Sequence, residues 1–345
     1  MKPKNNYLNI FNYFKETDND IIEFSKLLGA GAFGEVREVK MGSKTYAAKL
    51  VRKEKSDNIE ADHLRGSNII KIVKMAEKEF EGQSYDLIIM EKAVLRDLGT
   101  LIRFLIGRNL LKLNNSPFTY IIGDNILRYF SRQIISGLEI LERSELVHFD
   151  IKPENILIIS GFILKISDFS FLRNLNSLKK GIKIPGGTSG YVSPEYYHKK
   201  EINSDIAKKQ DYFALGATIY VLKVGFQMLK YKKYDNDKMT EDRIIDLLQR
   251  DIAHIRSEPL MDKDFVEFLC KLIQYVPEER PSFEEIYRNK WLNKDTDYIS
   301  LLAYAFSDID EHTFMKELIK SDFLMQKQRE IHDNEKNRSN FKFVE

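Results

Sequence analysis

The chain has 345 residues, of which 43% are hydrophobic and 31% are charged, and these proportions are typical of a folded globular protein. Its 54 basic and 52 acidic residues leave a net charge of +2, so charge gives no reason to expect nucleic acid or an anionic membrane as the main partner. The length suffices for one large domain or two modest domains with a buried core.

The cysteine content and the apolar runs bear on location. The single cysteine, Cys270, excludes a disulfide within the chain and fits a reducing compartment. The first residues, MKPKNNYLNIFNYF, contain no apolar run as long as that of a signal peptide. No stretch approaches the ~18 apolar residues of a membrane span. We therefore expect an intracellular protein, cytoplasmic or nuclear, whose oligomeric state the sequence leaves open.

Strand patterns follow an Asn-rich beginning. Residues 1–20 fit either a loose arm or a short docking helix. Residues 21–92 contain strand-like segments, with turn signals at glycines 29–34 and at residues 41–44, and a short helical stretch at 56–66. We expect a small antiparallel sheet with one helix in this part of the chain.

After residue 93 the apolar residues recur at helical spacing. Residues 125–145 place one apolar face on a helix, formed by Ile126, Leu127, Phe130, Ile134, Leu138 and Leu141. A helix formed by residues 208–225 would be apolar on almost all of its faces, which predicts that it is buried. Residues 93–292 are therefore predicted to be mostly helical, with loop insertions at 106–123 and 228–241. The tail, 293–345, is predicted to be partly helical.

A glycine-rich segment lies between two predicted strands. Gly29, Gly31, Gly34 and Val36 form the pattern G-x-G-x-x-G-x-V, with Ala30 inside it. Such glycines let the backbone approach phosphate oxygens closely. The pattern alone is a weak signal, and a strand rather than a helix follows it, which argues against a Rossmann dinucleotide site.

Lys49 lies among small and apolar residues on the next predicted strand. It is either an edge lysine that extends its amine to water or a cation held for phosphate. The second interpretation requires an orienting carboxylate, which Glu60 could supply. Glu60 could equally be a solvated charge on the short helix.

Three different polar side chains lie within the apolar segment VHFDIKPENILI. Asp150 can accept a proton or orient a hydroxyl, and Lys152 can neutralise charge on a migrating phosphoryl group. Asn155 offers an uncharged oxygen to a hard cation, and Asp168 follows at the end of a later strand. Together these two oxygens suit Mg²⁺, which takes few protein ligands beside substrate phosphates.

The order and spacing of these motifs resemble the eukaryotic protein kinase catalytic domain over about residues 21–292. The resemblance also covers the segments DFS (168–170), GTSGYVSPE (187–195), DYFALG (211–216) and ERPSFEEI (279–286). It implies an α+β fold of two lobes, with a small antiparallel β-sheet lobe at 21–92 and a larger helical lobe at 93–292. ATP would bind between them.

The same resemblance assigns roles in binding Mg²⁺ and ATP. Met90 would line the back of the adenine pocket, and main-chain groups of Glu91 and Ala93 would bind the base. The other nucleotide-binding residues would be Gly29, Ala30, Gly31, Gly34, Val36, Ala47, Lys49 and Leu157. Asn155 and Asp168 would hold the metal ion, and the catalytic residues would be Asp150, Lys152, Lys49 and Glu60.

The catalytic segment is similar to that of the serine/threonine branch of the family. In that branch a lysine and a threonine, here Lys152 and Thr188, meet at the substrate hydroxyl. Glu195 and Arg280 match a buried ion pair of the family, and Asp211 matches a buried carboxylate that ties down the catalytic loop. The resemblance therefore implies an ATP-dependent serine/threonine protein kinase with a protein substrate.

Two residues depart from the family pattern. Phe149 stands where the family has an arginine that contacts a phosphorylated activation segment, so activity is predicted not to depend on that phosphate. Ser170 replaces a glycine and narrows the backbone freedom beside Asp168. These two departures support an alternative, a nucleotide-binding pseudokinase scaffold with little catalysis. The retained Lys49, Asp150, Lys152, Asn155 and Asp168 favour the enzyme.

Overall fold

A computed structural model describes residues 7–17, 22–31, 34–53, 63–112, 121–176, 184–197, 201–225 and 240–295. Glu60, most of the predicted short helix around it and the tail after residue 295 lie outside the described residues. In the described part of the chain, each helix is too short or too polar to cross a membrane.

Five strands form one antiparallel sheet in the order β1-β2-β3-β5-β4. They are β1 (Ile22–Gly31), β2 (Gly34–Met41), β3 (Lys44–Arg52), β4 (Ile72–Phe80) and β5 (Gln83–Glu91). Strands β4 and β5 meet in a two-residue turn where Glu81 and Gly82 have φ angles of 52° and 74°, the positive values that a type I′ turn requires. Strand β3 is central, so Lys49 lies between Val36 on β2 and Ile88 on β5.

A helix, α1 (Tyr7–Thr17), covers one face of this sheet. Its Ile10, Phe11 and Phe14 are buried in a cluster that also contains Ala48 and Leu50, the two neighbours of Lys49 on β3. Side chains alternate between the faces of a strand, so this packing seals the face opposite to that of Lys49. Of the two alternatives for the start of the chain, the structure shows the docked helix.

The rest of the described chain is mainly helical. Its helices are α2 (Leu98–Lys112), α3 (Asp124–Arg143), α4 (Pro194–Tyr197), α5 (Ser204–Val224), α6 (Glu241–Ser257), α7 (Lys263–Leu272) and α8 (Phe283–Tyr287). The predicted apolar face of α3 is buried along its length, and α5 is the predicted buried helix. The side chain of Asn203 begins α5 by accepting the amide of Ile206 at 2.8 Å.

The loop predicted at 106–123 is wrong in its first part. Residues 106–112 belong to α2, because they continue the preceding helix and are mostly strong helix formers.

Two short strand pairs position the loops that carry the candidate site. They are β6 (Leu146–Val147) with β9 (Arg173–Asn174), and β7 (Ile156–Ile159) with β8 (Ile163–Ile166). The segment Asn68–Ile70 also attaches to β8, since Asn68 accepts the amide of Ile166 at 2.9 Å and Ile70 donates to the carbonyl of Ile166 at 2.9 Å. The predicted fold is confirmed: a small antiparallel sheet lobe and a helical lobe.

Candidate active site

A cavity of about 450 Å³ lies between the sheet and the helical part of the chain. The predicted site residues that line it are Gly29, Ala30, Val36, Ala47, Lys49, Met90, Ala93, Asn155, Leu157 and Asp168. Residues separated by more than a hundred positions in sequence are thus brought to one surface. Its walls are mainly apolar with a few converging polar groups, as in small-molecule sites.

Two of the predicted nucleotide-binding glycines flank the two-residue turn between β1 and β2, because Gly31 ends β1 and Gly34 begins β2. Gly31 pairs with Gly34 across this turn. Gly34 has a φ of 152°, and a Cβ added there would lie 1.9 Å from the carbonyl oxygen of Leu50. Only glycine therefore fits at this position of the turn.

Glu91 uses its carboxylate outside the cavity. Its Oε1 accepts the amide of Lys71 at 2.7 Å and the Nζ of Lys165 at 2.6 Å, which joins the end of β5 to β8. The expectation for Glu91 concerned its main chain, and this side-chain role was not foreseen.

Asp150 is held by a compact network beside the cavity. Its Oδ1 accepts the hydroxyl of Thr188 at 2.7 Å, and its Oδ2 accepts Lys152 Nζ at 2.7 Å. Lys152 also donates to the Thr188 hydroxyl at 2.6 Å. Asn155 Nδ2 donates to the backbone oxygen of Asp150 at 2.7 Å and to its Oδ2 at 2.9 Å. The carboxylate is therefore oriented by three different side chains.

Helix α5 anchors the backbone of the loop that carries Asp150. Asp211 accepts the amide of His148 at 2.7 Å and that of Phe149 at 2.9 Å. Burial raises the pKa of Asp211 to about 7, although both amide donors act in the opposite direction. Phe149 has a φ of 63°, a strained value for a bulky residue that these bonds maintain.

His148 links the loop of Asp150 to the segment that precedes Asp168. Its Nδ1 accepts the amide of Asp150 at 3.2 Å, so the hydrogen is on Nε2, which donates to the carbonyl of Ser167 at 3.0 Å. Burial lowers the pKa of His148, which keeps the ring neutral. The ring also contacts Phe169 edge-on, with centroids 5.6 Å apart.

Lys49 pairs with Asp168 in the cavity. Its Nζ lies 2.6 Å from Asp168 Oδ1, and the hydroxyl of Ser170 donates to the same oxygen at 2.6 Å. Burial alone would raise the pKa of Asp168, but the charge of Lys49 and these two hydrogen bonds lower it to about 2. Within the described residues Asp168 is thus the partner of Lys49, and the predicted pairing with Glu60 falls outside them.

Asn155 and Asp168 line the same cavity, and their side chains carry oxygens of the kind that Mg²⁺ prefers. Both side-chain hydrogen bonds of Asn155 use its Nδ2, which assigns its Oδ1 as an available acceptor. Both donors to Asp168 use Oδ1, and no donor from the described residues binds its Oδ2. A carboxylate oxygen and an amide oxygen fit Mg²⁺ bound beside substrate phosphates.

A model of the protein kinase domain matches residues 22–292, most of the chain. The chain belongs to the protein kinase domain family. As a member of this family, the chain is classified as a kinase and therefore as a transferase. ATP binding follows from the same family membership. The antiparallel sheet and helical part described above are therefore the two lobes of a kinase domain.

Relatives of this kinase domain are serine/threonine kinases of modest identity. The serine/threonine-protein kinase cds1 of Schizosaccharomyces pombe is 28% identical over 80% of this chain and 59% of its own length. The Aurora kinase of Saccharomyces cerevisiae is 27% identical over 81% of this chain and 71% of its own length. The calcium/calmodulin-dependent protein kinase cmkA of Emericella nidulans is 26% identical over 80% of this chain and 63% of its own length. The chain thus spans from under two thirds to about 70% of these relatives' lengths.

The predicted ion pair of the kinase domain is present and buried. Arg280 Nη2 lies 2.8 Å from Glu195 Oε1, and the Arg280 side chain is fully buried. Its guanidinium also donates to the backbone oxygens of Gln274, Lys209 and Tyr275 at 2.9 to 3.1 Å. Because its donors are shared among several partners, we assign this arginine a structural role.

Sequence reasoning missed two features of the site. Asp97 lines the cavity and begins α2, where it accepts the amide of Thr100 at 2.7 Å and its hydroxyl at 3.0 Å. An aspartate directly before an apolar helical run is a recognisable helix start. The hydrogen bond from Ser170 to Asp168 was also missed, although serine side chains commonly bond to groups two residues away.

Proposed function

We propose that the protein is an active serine/threonine protein kinase, which transfers the γ-phosphoryl group of Mg-ATP to a hydroxyl of a protein substrate inside the cell. The observation that supports this most directly is the oriented carboxylate of Asp150, bracketed by Lys152, Thr188 and Asn155. A scaffold without catalysis has no need to hold this carboxylate in three hydrogen bonds.

Asp150 is suited to act on the substrate hydroxyl. It would orient that hydroxyl and accept its proton, as a positioned carboxylate does in general base catalysis. Lys152 and Asp150 both bond the aliphatic hydroxyl of Thr188, at 2.6 and 2.7 Å, so a small aliphatic hydroxyl fits the space between them. This geometry supports serine or threonine as the acceptor.

The cavity residues would bind and orient the nucleotide. Lys49 would position the phosphates, and the backbone amides of the glycine turn would lie over them. Asn155 Oδ1 and Asp168 Oδ2 would hold Mg²⁺, whose charge neutralises the phosphates during transfer. Met90 and Ala93 line the part of the cavity assigned to the base. The contribution of the chain is then mainly positioning and electrostatic stabilisation.

Phe149 supports activity without phosphate on the activation segment. It replaces the family arginine and packs in a buried apolar cluster with Leu175 and Ile202. Phe171, before residues 177–183, and Ile184, directly after them, pack against the same cluster. We propose that apolar contacts here replace the charge-assisted contact with phosphate.

The decisive experiment is transfer of labelled phosphate from Mg-ATP to a generic basic protein. The wild type, dephosphorylated before the assay, is compared with Lys49→Met and Asp150→Asn, and ATP-dependent melting is measured for all three. Transfer by the wild type alone supports the kinase, with Asp150→Asn still binding ATP. Absence of transfer, with ATP raising the melting temperature of the wild type, would favour the nucleotide-binding scaffold.

A further inference from the structure

The hydroxyl of Ser170 binds the same carboxylate as Lys49. Ser170 Oγ donates to Asp168 Oδ1 at 2.6 Å, and Lys49 Nζ reaches that oxygen at 2.6 Å from the opposite lobe. Hydrogen bonds to a charged acceptor are roughly twice as strong as those between neutral groups. The carboxylate is thus held both by β3 and by its own segment.

The backbone at Asp168 makes this second bond important. Asp168 begins the short 3-10 turn Phe169–Phe171 with φ 62° and ψ 73°, a left-handed conformation that costs energy for a residue with a side chain. An aspartate that begins a helical turn usually accepts an amide of that turn, and this one makes no such bond. The bond from Ser170 takes its place and keeps the carboxylate available to the cavity.

The two donors to the Asp168 carboxylate determine which of its oxygens remains available to a metal ion. Lys49 and Ser170 both use Oδ1, and within the described ranges Oδ2 receives no protein donor. Ser170 lines the same cavity as Asp168 and Asn155. Phe169 also contributes to the lining of this cavity, and its ring packs edge-on against His148, with only 8% of the residue exposed.

We propose that Ser170 is a positioning residue for magnesium, because its hydroxyl holds Asp168 in the orientation that presents Oδ2 to the cation. The inference rests on the proposed function, in which this cation accompanies ATP. A glycine, which the family has at this place, supplies no hydroxyl. Lys49 then holds the Asp168 carboxylate from strand β3, and Ser170 holds it from within the same loop.

Two substitutions distinguish the role of the Ser170 hydroxyl from the effect of this residue on the freedom of the backbone. Ser170→Ala removes the hydroxyl and keeps the restricted backbone, whereas Ser170→Gly removes both. Ser170→Thr retains a hydroxyl. Ser144→Ala is a matched control, since the exposed hydroxyl of Ser144 donates only to the carbonyl of Ile140, at 2.8 Å, outside the site.

The experiment measures binding of a non-hydrolysable ATP analogue to the full chain by calorimetry, across a Mg²⁺ titration and again in EDTA. Loss of a residue that orients a metal ligand typically weakens metal affinity roughly 10- to 100-fold. We expect a rise of this size in the half-saturating Mg²⁺ concentration for Ser170→Ala and Ser170→Gly. Their affinity in EDTA should match that of the wild type, and their melting temperatures, lowered by the loss of one hydrogen bond, should remain well above the temperature of the titration. Ser170→Thr and Ser144→Ala should respond to Mg²⁺ as the wild type does.

The proposal is overturned if Ser170→Ala responds to Mg²⁺ as the wild type does, or if it loses affinity equally with and without the metal. Phosphate transfer by the wild type together with either result leaves the kinase standing and removes only the role of Ser170. Conversely, Mg²⁺-dependent binding that requires Ser170, without phosphate transfer, supports the positioning role while the proposed function fails. A wild type with no Mg²⁺-dependent binding overturns both.

Discussion

Asp211 accepts the backbone amide of Phe149 at 2.9 Å and thereby holds it at a φ of 63°. This left-handed conformation is uncommon for an aromatic residue. In it, Phe149 is only 5% exposed and belongs to the cluster of Leu175, Ile202 and Ala207. One carboxylate on α5 thus fixes both the loop of Asp150 and an apolar anchor for the segment that follows Asp168.

The first prediction concerns this anchor. Phe149→Ala should lower the free energy of unfolding by about 3 kcal/mol, the usual cost of a Phe→Ala cavity, and should reduce phosphate transfer as the segment loosens. Phe149→Leu, which nearly conserves volume, should cost about 1 kcal/mol and retain transfer. Denaturant unfolding and the transfer assay on phosphatase-treated protein measure both effects. Loss of transfer by the wild type after phosphatase treatment would contradict a phosphate-independent anchor.

The second prediction concerns pH and His148. In the unfolded chain this histidine takes up a proton near pH 6.5, whereas in the folded chain burial lowers its pKa and the ring stays neutral. The unfolded state then binds more protons below pH 6.5, so acidification removes stability. We expect the stability advantage of the wild type over His148→Gln to shrink by about 1 kcal/mol per pH unit below pH 6.5.

This comparison is made by denaturant unfolding at several pH values between neutral and mildly acidic. The remaining histidines are common to both proteins, so their titration cancels in the difference. A constant difference across this range would show that the ring is protonated in the folded chain, which conflicts with the neutral tautomer assigned to it.

The third prediction concerns the buried ion pair. Arg280→Met leaves the carboxylate of Glu195 without its cation and should destabilise the chain by about 3–5 kcal/mol. Arg288→Met removes an exposed arginine that lies 2.7 Å from Glu284 on one helix surface, and it should change stability little. Chemical denaturation of the two variants tests the difference. Equal effects would mean that burial of the first pair does not matter.

The fourth prediction concerns α1. Phe11 is fully buried, with its ring 4.9 Å from that of Phe24, whereas Leu8 on the same helix is 44% exposed. Phe11→Ala should lower stability by about 3–5 kcal/mol, and Leu8→Ala should have little effect. Because the cluster of Phe11 includes both neighbours of Lys49, Phe11→Ala should also weaken ATP binding. Unfolding curves and nucleotide titrations measure the two effects, and wild-type values for Phe11→Ala would show that α1 is dispensable.

Local patterns predicted much of this protein. The sheet, the buried face of α3 and the buried helix α5 follow from apolar periodicity, which is a property of neighbouring residues. The candidate site could be assembled because glycine spacing and the set of polar side chains in one segment carry chemical information. These signals identified Gly29, Val36, Lys49, Asn155 and Asp168 in the cavity, whereas Ala47, Met90, Ala93 and Leu157 were assigned through the resemblance to the kinase family.

Other features depend on tertiary contacts that periodicity does not encode. The partner of Lys49 is 119 positions away in sequence, and the bond between them depends on how the lobes meet. The docking of α1 depends on the match between Phe11 and the sheet, so the sequence left an arm and a helix equally open. The role of Ser170 depends on a side-chain rotamer beside a left-handed residue, where sequence reasoning considered only the backbone.

The attachment of residues 68–70 to β8 has a consequence for how nucleotide could leave. Two backbone hydrogen bonds to Ile166 and the ion pair of Glu91 with Lys165 join the lobes along one line. Any opening that preserves these bonds must pivot about β8. Strands β1 and β2, at the sheet edge opposite to β4, would then travel furthest, and the end of the cavity near Ile70 would scarcely widen. In the proposed kinase, ADP would accordingly be exchanged for ATP on the side of β1 and β2.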